Sequence, residues 1–146
     1  MDRRLITMLL MFVWLSGLSL FDIRYRKVPM WMILSGGAAA AGAGICGCIW
    51  GEGSFMDLLS GMIPGAVLLL LALGTQKAGW ADGVILAILG SVLGFRQCML
   101  VTMLSLILVS VLSAALLMLK KADKGTAIPY VPFLTAGLAL CRIIGG

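Results

Sequence analysis

The feature that most restricts this chain is a succession of apolar runs, each closed by a short polar stretch: residues 5–21, 31–50, 56–75, 83–95, 99–119 and 128–144. Most approach the ~20 residues that an α-helix needs to cross a hydrocarbon core about 30 Å thick. Hydrophobic residues make up 62% of the chain and charged residues 12%, against roughly 45–50% apolar in a soluble domain. Too little polar surface exists to face water. The expected fold is therefore all-α, a polytopic membrane bundle of about six transmembrane helices. Residues 1–146 form one integral-membrane domain whose core is helix-to-helix packing within the lipid bilayer.

The net charge of +5 would suggest nucleic acid in a soluble protein. Here the cations fall in short loops, where they orient the chain and meet anionic headgroups, so nucleic acid is discarded as a partner. Histidine is absent, which closes Ser-His-Asp and Cys-His catalysis and His-containing zinc sites. The four cysteines do not replace it. Cys46 and Cys48 form C-x-C in an apolar run, Cys98 and Cys141 stand alone, and all four read as buried small hydrophobes.

In chain order, a basic start and Ser16-Gly17-Leu18-Ser19 give the first run the look of a signal peptide, but it reads as a retained first span. The second carries the small-residue run 36–44, a packing face that lets a neighbouring backbone come close. The third contains Pro64, tolerated where neighbours satisfy the freed carbonyl. The fourth, 83–95, has only 13 residues, about 20 Å at ~1.5 Å each. Asp82 at its head is thereby expected below the near membrane surface, a costly place for a carboxylate without a purpose. Along the fifth, Thr102, Ser105, Ser110 and Ser113 share an arc of roughly 140° and suit hydrogen bonds to a neighbouring helix. The sixth opens with Pro129 in a first helical turn.

Loop charges give an orientation. The first, third and fifth loops hold Arg24, Arg26, Lys27, Lys77, Lys120, Lys121 and Lys124; the opposite side holds Arg3, Arg4, Arg96 and Arg142. The richer side is cytoplasmic by the positive-inside rule. Asp22 and Asp82 share it, since an even number of spans separates them.

Two acids on one side are the elements of a dyad. Peptide hydrolysis without metal or histidine needs one carboxylate to take a proton from water and another to give one to the carbonyl oxygen. A close pair supplies both, because like charges a few ångströms apart cannot both ionise. Gly79 and Ala81 keep the backbone beside Asp82 small. Each acid has a plainer reading: Asp82 as the N-cap of its helix, Asp22 as a loop charge screened by Arg24 and Arg26. Glu52 and Asp57 fall on the opposite side and Asp123 sits among lysines, so no rival pair exists.

D-x-R-x-R-x-V-P at Asp22–Pro29, G-x-A-D at Gly79–Asp82 followed by Leu89-Gly90, and I-P-x-x-P-F at Ile128–Phe133 resemble, in order and spacing, the type IV prepilin peptidases, which are GxGD-type intramembrane aspartyl proteases. The resemblance implies that Asp22 and Asp82 are catalytic and that Arg24, Pro29, Gly79, Ala81, Pro129 and Pro132 are motif or substrate-positioning residues. It implies a membrane aspartic endopeptidase of the cytoplasmic membrane, cutting the basic leader of type IV pilin-like precursors at the cytoplasmic face with no metal or organic cofactor. Three positions depart from the pattern. Ala81 replaces the glycine before the second aspartate, Val84 a frequent lysine, and Met30 a common asparagine. The first loop is also too short for the cysteine-bearing domain of longer, N-methylating relatives, so a peptidase-only member is expected. Two other readings stay open at this level, a non-catalytic membrane scaffold of a pilus or secretion apparatus and a small multi-pass transporter subunit.

Overall fold

The computed structural model describes residues 3–25, 27–51, 54–75, 79–120 and 128–145. Among them the chain forms six α-helices: α1 (Arg3–Tyr25), α2 (Met30–Ile49), α3 (Phe55–Thr75), α4 (Trp80–Leu93), α5 (Phe95–Met118) and α6 (Val131–Gly145). Helix is the only local solution that closes every backbone hydrogen bond within one segment when water is absent. α1, α2, α3 and α5 are long and apolar enough to cross a membrane, whereas α4 and α6 are shorter apolar helices. Outward faces carry large apolar side chains, including Leu10, Val13, Leu20, Leu34 and Leu70. Lipid, being as apolar as leucine, accepts such faces without penalty.

α4 is the central helix. It packs on α1, α2, α3 and α5, and Gly83, Ile85, Leu86, Leu89 and Gly90 are all buried. A helix that is apolar all round belongs inside a bundle, and its 14 residues span only about 21 Å. Around it lie Leu15 and Leu18 of α1, Ile33 of α2, Cys98 and Val101 of α5, and Val131 and Leu134 of α6. The most extensive contact is α3 against α4. There Gly61 meets Gly90 backbone to backbone, and Gly65 meets Ala87. Pro64 lies buried inside α3 between these two glycines. α4 passes into α5 through the single residue Gly94, whose φ of 80° suits a residue without a Cβ.

Several boundaries differ from those expected. α1 does not stop at residue 21 but runs on through Asp22 to Tyr25, because Phe21 and Tyr25 stack one turn apart at 5.7 Å and the acid faces inward, where α6 receives it. The first connection shrinks accordingly, and Asp22 is not a loop charge. α4 begins at Trp80, three residues before the apolar run, with extended Gly79 as its N-cap and no side-chain cap bond. Asp82 is therefore a first-turn residue and not the N-cap. α6 begins at Val131, leaving Pro129 ahead of the helix and Pro132 in its first turn.

Polar residues in the spans are satisfied differently from the expectation. The Thr102 hydroxyl donates to the Cys98 carbonyl at 2.7 Å and the Ser105 hydroxyl to the Val101 carbonyl at 2.6 Å. Both bonds stay within α5, since a hydroxyl one turn from a carbonyl finds it without help from another helix. Cys98 is buried as expected, but Cys46 and Cys48 are exposed on α2 and Cys141 is intermediate. Of the small run on α2, the stripe through Gly36, Ala40 and Gly44 meets neighbours most closely: Gly36 lies on the Trp14 ring and Gly44 on Leu58. Trp14 also donates its indole N–H to the Met32 carbonyl at 3.0 Å, tying α1 to α2. Among the loop cations, Arg26, Lys77, Lys121 and Lys124 lie outside the described residues.

Candidate active site

Alternation of helices along the chain brings the end of α1 and the beginnings of α4 and α6 to one end of the bundle. Each contributes to one cluster. Asp22, in the last turn of α1, is only 9% exposed, and its Oδ2 accepts a hydrogen bond from the Val131 N–H at 3.3 Å. That N–H opens α6 and has no partner within its own helix. The positive end of the α6 dipole adds to the attraction for a carboxylate. Asp22 thus serves as a cap supplied by another helix, and α6 in return holds the side chain in place.

Asp82 is half-buried in the first turn of α4, near enough to Asp22 for the two charges to interact. The residues around it are small for a reason visible in the geometry. A Cβ on Gly79 would come within 3.0 Å of Asp82 Oδ2, so glycine there leaves the carboxylate room to turn. Gly83, on the other side, lies against the Leu69 backbone of α3; a Cβ there would stand 2.8 Å from Leu69 Cα. This contact sets the height of the first turn of α4 and hence of Asp82.

The remaining residues singled out from the sequence divide. Pro132 borders a groove of about 380 Å³ between α1 and α6, which also touches Ser16, Ser19 and Leu20 from α1 and Thr135 and Ala136 from α6. Ser19 is buried one turn before Asp22, so the groove opens beside the acid. Pro129 lies in the segment leading into α6. Ala81 packs against the core, and Pro29 is the extended N-cap of α2, with φ −67° and ψ 134°. Arg24 is exposed and sets its guanidinium 6.0 Å over the Tyr25 ring. Two residues along the helix from Asp22, it faces away from the cluster. Val84, at the position of a frequent lysine, packs against the core, and Met30 is exposed at the head of α2. Among the described residues, no group of three or more histidine, cysteine or acidic side chains is placed to hold a metal ion.

One member of the cluster was passed over in the sequence. Tyr130, immediately before α6, packs against the core, and its hydroxyl is buried with no hydrogen-bond partner. It lies beside Ser105 of α5 and within electrostatic range of Asp82. In I-P-Y-V-P-F it holds one of the two positions left free by the pattern. The available signal was chemical: a phenol in an apolar run needs a polar destination for its O–H.

An arrangement of two interacting carboxylates, one tied to a helix N-terminus and the other beside a glycine, has the parts for acid and base catalysis on a carbonyl. No curated protein and no solved structure matches the chain. The model of the type IV leader peptidase family matches residues 9–116, about three quarters of the length and both aspartates. The chain belongs to the type IV leader peptidase family, aspartic endopeptidases of the membrane that act on prepilin-like precursors.

Proposed function

We propose that Asp22 and Asp82 are the catalytic pair of this endopeptidase. The observation that carries this reading is their meeting: residues from the first and fourth helices, distant in sequence, stand in one cluster with interacting charges. In the reaction, the ionised member takes a proton from a water molecule whose oxygen adds to the scissile carbonyl carbon. The protonated member gives its proton to the carbonyl oxygen. Collapse of the tetrahedral adduct breaks the C–N bond, the leaving amine is protonated, and leader and mature chain separate with one water consumed. No metal or organic cofactor takes part.

All six helices lie in the membrane within a single domain, α4 and α6 being short because the cluster sits at their heads, below the surface. The carboxylates face the cytoplasm, the side favoured by the loop cations, where a basic leader ahead of an apolar helix is accessible. Gly79 keeps space at Asp82, and Pro132 shapes the groove beside Asp22. Ala81, Pro29 and Pro129 support the backbone around these positions. Arg24 sits on the same rim, facing outward toward headgroups rather than toward the acids. The short first connection leaves the enzyme a peptidase without methyltransferase activity.

The test is processing of a co-expressed pilin-like precursor by wild type, Asp22→Asn and Asp82→Asn, each checked for membrane insertion. Loss of one acid–base partner is expected to lower the rate by about 10²–10⁴-fold in either variant. Wild-type processing by either inserted variant would overturn the assignment.

A further inference from the structure

The start of α6 holds one acid and comes near the other through consecutive residues. Val131 gives Asp22 its backbone N–H, and Tyr130 brings a buried, unpartnered hydroxyl into the electrostatic range of Asp82. A buried hydroxyl without a partner is rare in native structures, because it forgoes the hydrogen bonds that water would give it. The neighbouring Ser105 relieves it only in part: it lies near enough to act on the phenol, but its own proton goes to the Val101 carbonyl, and no hydrogen bond of ordinary length and angle joins the two hydroxyls. α6 cannot simply turn the ring away. Gly137, two turns along, is wedged against Ser105 and 2.9 Å, measured from a Cβ in its place, from the Val101 carbonyl.

We propose that Tyr130 is a positioning residue of the dyad, its O–H being the donor for the ionised Asp82 carboxylate as the Val131 N–H is for Asp22. The inference rests on the assignment of Asp22 and Asp82 as the catalytic pair. With one oxygen of each carboxylate held from α6, the other two are left to face each other and share a proton. The head of α6 then acts as a brace that fixes both acids with two adjacent residues. The titratable or charged groups facing the phenol are Asp82 from α4 and Cys98 from α5, with Asp22 of α1 bound to the adjoining N–H. Described residues of α2 carry no charge, Asp57 of α3 lies at the opposite end, and Arg142 is in the last turn of α6.

The experiment pairs cleavage kinetics with a titration that needs no turnover. Aspartate labelled with ¹³C at the carboxyl carbon is followed against pH in the intact, detergent-solubilised protein, the Asp82 signal being identified by its loss in Asp82→Asn. Losing a donor to the ionised form makes ionisation harder, so Tyr130→Phe is expected to move the Asp82 titration up by about one unit. kcat should fall about 10- to 100-fold with KM within about twofold, and the acid limb of the pH profile should move the same way. Ser105→Ala should leave all three near wild type. Replacing Tyr130 by 3-fluorotyrosine keeps the ring and strengthens the donor, and should shift the Asp82 titration down. An unmoved titration in both Tyr130 variants, or an equal shift in Ser105→Ala, would overturn the proposal. Wild type that leaves every precursor uncut would count against the catalytic assignment, while the Asp82 titration would still decide whether Tyr130 is its donor.

Discussion

Two helical regions of this protein are rich in glycine, and they use it in opposite ways. α2 reads as one long small-residue surface from Gly36 to Gly44, yet methyl groups on Gly42 and Gly47 would meet nothing, and one on Gly37 would make only an ordinary contact with Ile88 at 3.7 Å. α3 and α4 together hold the same number of glycines, five, and four of theirs meet the partner helix's backbone, Gly74 near the end of α3 being the exception. Gly61 and Gly90 face each other's carbonyls, Gly65 faces Ala87 and Gly83 faces Leu69. The difference is one of register rather than of composition. Glycine matters where two helices meet at matched heights, and α4, bearing Asp82, is matched to α3 at three successive levels. In lipid, where apolar burial gives no net drive to association, such close backbone approach is what holds helices together.

The sharpest way to break this comparison is at the matched levels. Gly61→Ala and Gly90→Ala each push a methyl into a partner carbonyl that cannot move without its helix. Each is expected to destabilise the bundle by about 1–3 kcal/mol, the usual cost of overpacking, and to reduce precursor processing because α4 and Asp82 shift together. Thermal unfolding in detergent, followed alongside membrane yield, measures the effect.

Gly83→Ala should act more on chemistry than on stability. Its methyl meets Leu69 2.8 Å away, beside Asp82, so a small rise of the first turn displaces the acid. A fall of about tenfold in kcat with a change in unfolding temperature of only a few degrees is expected, since small misplacement of a reacting group is costly. A stability loss as large as that of Gly90→Ala, with kcat unchanged among the folded fraction, would show that this level serves packing alone.

The smallest effect belongs to α2. Gly42→Ala and Gly47→Ala enter open space, and each should be neutral or raise stability by a few tenths of a kcal/mol, toward the ~1 kcal/mol difference in helix preference. Processing should stay at wild-type level. A marked loss in either would mean that this outer face meets a partner in the membrane.

Much of the architecture was legible beforehand because apolar runs and short polar breaks determine helices directly in lipid. α2 and α3 fall within a residue of the expected 31–50 and 56–75. Boundaries failed where polar residues belong to a helix for tertiary reasons. Asp22 looks like the end of a span, but α1 continues because α6 gives that carboxylate a donor. Asp82 looks like an N-cap, but Gly79 takes that place and the acid stands in the first turn. The hydroxyls of Thr102 and Ser105 resembled interhelical glue until each was found on its own helix. Tyr130 was invisible because a pattern keyed to prolines leaves the residues between them blank.

What the sequence by itself determined is the solvent, the number and approximate extent of the helices, and the presence of two acids at one end. These follow from hydropathy and from counting spans, both local properties. Only the tertiary structure decided that α4 is the central helix, that Asp22 and Asp82 come within range of each other's charge, and that the head of α6 holds Asp22 through the Val131 N–H. Those facts depend on which faces meet and at what height. In a membrane, that is settled by close backbone contact at particular glycines and by where a buried polar atom finds its partner, neither of which can be read along a single chain.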